Sequence, residues 1–527
     1  MSCRVFLLVL ALCAVSVWAD LSLDCGSSDV SYTDDNSLVW TGDDSFIGNG
    51  ESQVVANPDS VSTVMSTLRV FKSRKKNCYN IPVYEESKVF VRASFYYGNY
   101  DKKSSPPTFD MQFDGNFWTT VETSSDQIMS YEIIYVTKGS AISVCVAQTK
   151  PNQFPFMSAL EVIQLQSDMY NHVDSNYALF MKTRVAYGAN HTIRYMDDPY
   201  DRIWSPAPIS NGWTTISSDD PLFIDNTGSA NLPPREVLAN AIRTATTSTP
   251  IVLSTNLTTT PVPIYISMYF SEPAQLDSSQ TRSFQLYIDN KANSDPITPP
   301  YEGVIELVTY NMTATSHTSF SLVSTSSSNL PPLINAMEVY TVGESPLTDG
   351  TNSKDVDGLA ALQSAFVVLQ EWTGDPCLPA PYTWDWVNCS SDPTPRIIAL
   401  YLGSYDLADS LPDFSSMDAL QIMVSGNPNL DLCTSSKSCK TTTSTSSTTS
   451  TSSGGSKSSK LPVILGVTIP IFVLFWAIVL VFVVQKQRQR RAAINSLGTG
   501  KATWDRAAGT GATPCSNDAQ HKPFGHE

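Results

Sequence analysis

The stretch "RYMDDPYDRIW" (residues 194–204) crowds Asp197, Asp198 and Asp201 together with Arg194, Arg202 and Trp204. Closely spaced carboxylates beside a guanidinium suit a cation site or a general acid/base pair. Calcium takes about six to eight oxygens in a glycine-assisted loop, and this stretch has three carboxylates and no glycine. A pinned turn needs less. Asp198-Pro199 favours a turn that an aspartate can close on its own backbone, and Arg202 then pairs with a carboxylate and lies flat on Tyr200 or Trp204. Asp197, Asp198, Asp201, Arg202 and Trp204 are therefore expected to be structural, with no metal.

Other catalytic patterns are weak. The histidines are His172, His191, His317, His521 and His526, and no HExxH or clustered Cys/His spacing for zinc occurs. No GxSxG elbow is present, and no carboxylate pair can be singled out for glycoside hydrolysis. "GTGKA" at 498–502 lacks the first glycine of a phosphate loop and the Ser/Thr after its lysine. The chain is read as neither an enzyme nor a cofactor binder. A net charge of −17 excludes a nucleic-acid partner, which needs a basic face.

The two ends explain where such a chain works. "MSCRVFLLVLALCAVSVWAD" has the charged start, short apolar run and small residues of a secretory signal, predicted to be cut after Ala19. "LPVILGVTIPIFVLFWAIVLVFVV", residues 461–484, carries no charge and exceeds the ~20 residues that cross a bilayer. "QKQRQRR" follows it, so a single-pass type I plasma-membrane protein with its N-terminus outside is predicted. Residues 433–460, dense in Ser and Thr, read as a stalk, and 485–527 as a cytoplasmic tail. Sequons at Asn190, Asn256, Asn311 and Asn388 fit a glycosylated exterior. Cys377 with Cys389 and Cys433 with Cys439 are close enough in sequence to propose as disulfides. Cys25, Cys78 and Cys145 leave one over; Cys145, in the alternating strand "AISVCVAQ", is read as a buried free thiol.

The elements that would position these residues are mainly β. From 20 to 343, short β-branched and aromatic runs alternate with turn signals. "FDMQFDG" from Phe109 returns as "FQLYIDN" from Phe284, and "PFMSALEV" from Pro155 returns as "PLINAMEV" from Pro332. "SFYYG" at 94 and "SMYFS" at 267 form a third such pair. Two similar β-sandwiches, about 20–170 and 175–343, are predicted. Beyond them, Leu359, Leu362, Phe366 and Leu369 recur at helical spacing with Asp355 as the cap. Ile398, Leu400 and Leu402, then Leu407, Leu411, Leu420, Ile422 and Asn427, carry leucine-rich-repeat spacing, so 355–432 reads as a helical cap and one to two repeats.

"LSLDCG", "RVFKSRKKNCYNIP", "YMDDPYDRIW", "LPPLINAMEVY" and "GDPCLPAPYTWDWVNC" together resemble the malectin-like ectodomains of plant receptor kinases that add a leucine-rich-repeat segment. The resemblance implies two tandem malectin-like sandwiches in one rigid unit, and a ligand rather than a substrate. Malectin binds a glucose disaccharide through aromatic and polar loop residues, and on that pattern Tyr96, Tyr97 and Tyr100 of "FYYGNYD", with Phe117 and Trp118, are sugar-site candidates. Strand alternation would place half of them in the core, and plant relatives also recognise peptides. Residues 485–527 carry no kinase motifs, so the expected protein binds a cell-wall oligosaccharide or secreted peptide and acts through a partner receptor kinase. Rival expectations are a wall-to-membrane tether and a secretory-pathway lectin.

Overall fold

The computed structural model describes residues 20–431 apart from 219–220 and 404. The predicted signal sequence, the Cys433–Cys439 pair, the stalk, the apolar span 461–484 and the tail lie outside the described residues. Among the described residues, no helix is long and apolar enough to cross a membrane.

The described chain is mainly β, because its apolar residues recur at every second position over short runs. The first half forms β1 (Leu21–Asp24), β2 (Val39–Gly42), β3 (Lys76–Pro82), β4 (Lys88–Phe95), β5 (Thr108–Phe113), β6 (Asn116–Glu122), β7 (Met129–Val136), β8 (Ala141–Ala147) and β9 (Ala159–Gln164). The second half adds β10 (Leu179–Ala186), β11 (Val262–Phe270), β12 (Phe284–Ile288), β13 (Ile305–Ala314), β14 (Phe320–Ser324) and β15 (Ala336–Val342). In each half a front sheet packs on a back sheet. In the first, Val89, Val91, Ala93 and Phe95 of β4 meet Phe109, Met111, Val144 and Val146 from β5 and β8. In the second, Ile264, Ile266 and Met268 of β11 meet Phe284, Leu286 and Leu322 from β12 and β14.

The strand order repeats. β9-β4-β7 in the first half corresponds to β15-β11-β13 in the second, and the β8–β5 pair corresponds to β14–β12. The two halves share a sheet. One eleven-stranded sheet runs through both halves in the order β2-β1-β9-β4-β7-β10-β15-β11-β13, with two short flanking strands. Its joint is the β7–β10 pair, registered as Ile133↔Phe180 and Ile134↔Leu179. A joint this brief needs help from side chains.

After β15 the chain forms α1 (Ser353–Ala365), then β16 (Val387–Cys389), β17 (Ile397–Tyr401) and β18 (Gln421–Met423), with β17 and β18 parallel. Leu359, Leu362, Phe366 and Leu369 are all buried against Trp386, Leu400 and Leu402. Asn352, not Asp355, caps α1, accepting from the Lys354 N–H at 3.2 Å. Asp355 is fully buried and instead accepts from Arg396 at 2.7 and 3.0 Å and from the Ile397 N–H at 2.9 Å. Its place one turn too deep for capping is set by that arginine. Asn427 ties the turns of the last segment, donating to Leu402 O at 2.6 Å and accepting from Leu407 N–H at 3.0 Å.

Cys377 and Cys389 are disulfide-bonded. The reading of Cys145 as a free thiol is corrected: antiparallel β3 and β8 place Cys145 directly opposite Cys78, and the two are bonded. Cys25 is the free, buried cysteine. Alternation identified Cys145 as buried but could not reveal its cross-strand neighbour.

Candidate functional site

The face of the shared sheet that turns away from the two cores carries charge. Arg92 in the centre of β4 lies between Glu161 on β9 and Glu132 on β7. Across the joint, Arg184 on β10 lies opposite Glu338 on β15, which in turn faces Ser267 on β11. Signs alternate along the row, and every member is buried. Arg92 donates to Glu161 at 2.7 and 2.6 Å. Arg184 bridges the joint, donating to Glu132 at 2.7 Å and Glu338 at 2.7 Å. Tyr170, Tyr269 and Tyr340 hydroxyls complete the shell of Glu338. Desolvation makes such groups costly unless each is fully paired, and here each arginine has several acceptors. Burial would raise the Glu338 pKa, but Arg184 and Arg202 outweigh it and hold the carboxyl below its ordinary range.

"RYMDDPYDRIW" lies over this row. Asp201 reaches into the first half, where both its carboxylate and its carbonyl accept from Arg92. Arg194 closes on the same carboxylate at 2.9 and 2.6 Å, and the Tyr195 N–H donates to it at 2.9 Å. Burial is again outweighed, here by Arg194 and Arg92, so Asp201 titrates below the usual carboxylate range. Asp198 closes the turn, accepting from the Tyr200 N–H at 2.9 Å, and also accepts from Arg202 at 2.8 Å and Trp204 Nε1 at 2.8 Å. Arg202 lies 5.4 Å from the ring centres of both Tyr200 and Trp204 and donates to Tyr170 Oη, Asn231 O and Leu232 O at 3.0, 2.7 and 2.7 Å. Asp197 is exposed. Asp198 and Asp201 turn to different partners, and the arrangement clamps the two halves across their joint.

Two of the aromatic candidates lie in the core. Tyr97 is fully buried and Trp118 is 6% exposed, both in the first core. Trp118 meets Phe113 edge-on, and Tyr97 meets Tyr100, which in turn meets Phe156. Tyr96 and Tyr100 are half-buried against the same core, and Phe117 is exposed. This corrects the assignment of Tyr97 and Trp118 to ligand contact: β6 directs Trp118 inward, and the loop after β4 folds Tyr97 back under its own turn, where Asp101 receives its hydroxyl.

Two concave surfaces are better candidates. The first is a cleft of ≈ 370 Å³ between the first sandwich and the segment 347–376. Asp114 in its wall accepts from the Ser143 N–H at 2.6 Å and the Tyr135 hydroxyl at 2.8 Å. Burial, opposed by Ser143 and Tyr135 and reinforced by Asp375, pushes Asp114 up to about 6. A carboxyl whose folded pKa is raised stabilises the fold below its unfolded pKa, and that contribution is lost as pH rises through about 6. Asp114→Asn should therefore match the wild type in thermal midpoint near pH 4 and exceed it near pH 7. An equal difference at both pH values would show that Asp114 is not the titrating group.

The second surface is an open groove of ≈ 1180 Å³ bounded by 84–88 and 164–175, with Tyr200 in its wall. Glu85, Glu86 and Asp168 are exposed along it. Its lysine is occupied: Lys88 donates to Ser167 O at 3.1 Å and to Met169 O, and burial lowers its pKa. Tyr200 is held by Gln166 at 2.9 Å, and Arg202 lies beneath its ring. The buried clamp thus fixes one wall of an acidic groove. Spacing alone gave no sign of the groove, since its residues are ordinary loop polar groups.

The profile of the malectin-like domain matches residues 23–342. The uncharacterized protein At1g24485 of Arabidopsis thaliana is 36% identical over 352 residues, which cover 66% of this chain and 69% of that protein. The probable LRR receptor-like serine/threonine-protein kinase At1g05700 of the same plant is 34% identical over 430 residues, covering 78% of this chain and 49% of the kinase. The chain thus spans about half the length of that receptor kinase. Among solved structures, a chain in the crystal structure of the plant peptide RALF23 in complex with FER and LLG2 superimposes with a TM-score of 0.51 at 16% identity, over 62% of this chain and 96% of that one. At that identity the likeness is one of fold.

Proposed function

Because this chain belongs to the malectin-like family, we propose that it is the ligand-binding part of a plant cell-surface receptor-like protein, taking a cationic secreted peptide into the groove between 84–88 and 164–175. The observation that carries this reading is the groove itself: three exposed carboxylates, with its lysine already engaged by backbone carbonyls. Opposite charge on a ligand raises the encounter rate and fixes its orientation. An open groove of ≈ 1180 Å³ suits an extended chain better than a disaccharide. Burial of Tyr97 and Trp118 in the core favours a peptide over a sugar. A fold-related structure holds a plant peptide in complex with two further components, FER and LLG2, which supports a peptide ligand and a co-receptor here. On this reading the span 461–484 anchors the chain, 355–432 is a short leucine-rich-repeat module, and a partner receptor kinase carries the signal.

The test uses the full-length chain displayed on cells and a panel of secreted peptides of differing net charge together with cell-wall oligosaccharides. Saturable binding should be confined to cationic peptides, weaken with salt, and be lost in Glu85→Lys/Glu86→Lys/Asp168→Lys. Glycan binding that survives the triple reversal would reject the reading.

A further inference from the structure

β13 ends the shared sheet. It pairs with β11 on one side, and its ten residues make no backbone hydrogen bond from the other side among the described residues. Such an edge is a template for strand addition by another chain. The strand is interrupted where Ile264 pairs with Met312 and Ile266 with Thr309, so that Tyr310 and Asn311 together oppose Tyr265. This is a bulge, which bends an edge and terminates pairing. Asn311 has φ +56, a left-handed conformation that asparagine tolerates better than most residues. Tyr310 is pinned outside the sheet by stacking on His172, with ring centres 4.9 Å apart. Asn311 and Thr313 are exposed, and Asn311 opens the sequon Asn311-Met312-Thr313.

We propose that Asn311 carries an N-linked oligosaccharide which, seated on the bulge, closes this edge of the shared sheet to strand addition. The donor is an oligosaccharide on a polyprenyl diphosphate. The bond from Asn311 Nδ2 to the sugar C1 forms as the C1–O bond to the diphosphate breaks; the amide loses one proton and polyprenyl diphosphate leaves. The inference rests on the reading of the chain as a cell-surface protein, which takes it through the secretory pathway.

The test is glycopeptide mass spectrometry on the full-length chain from a eukaryotic secretory host, with self-association followed by chemical cross-linking. Asn311 should be occupied. Thr313→Ala, which removes the sugar but keeps Asn311 in the bulge, should raise cross-linked dimer and higher species severalfold. Should that variant fail to reach the surface, enzymatic removal of the sugar from folded protein lacking the other three sequons provides the same readout. A bare Asn311 beside occupied Asn190, Asn256 or Asn388 overturns the inference alone. All four bare would overturn the cell-surface reading with it. Sugar-free protein that cross-links no more than wild type shows that the sugar does not guard the edge.

Discussion

Arg202→Ala is expected to prevent the chain from reaching a stable fold. The substitution removes a fully buried guanidinium with four oxygen partners and leaves Asp198 as a buried carboxylate without its counter-charge. Breaking one side of a buried pair typically costs about 3–5 kcal/mol, a large share of the ~5–15 kcal/mol that holds a domain together. The carbonyls of Asn231 and Leu232 lose their donors as well, and the clamp over the β7–β10 joint opens. Secreted yield should collapse, or the thermal midpoint fall by many degrees. Asp197→Ala, three residues before Tyr200 and exposed, is the matched control and should change stability by no more than about 0.5 kcal/mol. Arg202→Ala protein that is secreted normally and melts like the wild type, but has lost a ligand, would make the segment a binding site and contradict the structural account.

The second large effect is expected at Gly374. The segment 371–378 packs on the first sandwich, with Gly374, at φ +76, against the Cys78–Cys145 disulfide. A Cβ there would come within 2.5 Å of Cys78 Sγ and 3.1 Å of Cys145 Sγ. The surroundings fix the segment rigidly: Thr373 donates to Cys78 O at 2.6 Å, Lys76 to Asp375 O at 2.6 Å and Leu378 O at 3.0 Å, and Arg74 lies 4.1 Å over Trp372. Burial, partly offset by Asp375, brings Lys76 down to about 8. Gly374→Val adds steric overlap to an unfavourable backbone, at about 1–3 kcal/mol for each effect. It should detach the C-terminal module and make 344–352 cleavable by protease. Gly212→Ala shares a positive φ but meets nothing within 4 Å, so it isolates the backbone part and should leave the module docked. Equal protease resistance in the two variants would mean that the disulfide contact does not hold the module.

Much of this architecture was legible because hydrophobic alternation and a long repeat survive in the sequence. Two glutamates of the buried row stand in the repeat itself: "SALEV" and "NAMEV" carry Glu161 and Glu338. A charge flanked on both sides by strand-forming residues is the signal that would have exposed them, as it would have for Arg92 in "KVFVRASF" and Arg184 in "LFMKTRV". Continuity of the sheet was not legible, because the β7–β10 joint rests on two registered pairs and no local pattern encodes a partner strand. The tyrosines misled for a related reason. A tyrosine near a strand end is equally at home under a turn, as Tyr97 is, or at its tip. Cys145 and Cys78 are matched only by register, and Asp355 is claimed by an arginine 41 residues away. Contacts between distant elements decided each of these.

The clamp and the groove form one structure: Arg202 below Tyr200 joins the buried row to the groove wall. Where a ligand sits is therefore the most direct question. A photo-cross-linking amino acid placed at Tyr200 in the full-length chain on cells, and separately at Tyr96, would answer it against the same panel of peptides and oligosaccharides. A cationic peptide should be covalently captured from position 200 and nothing from position 96. Capture of an oligosaccharide from position 96, with position 200 silent, would contradict the peptide reading.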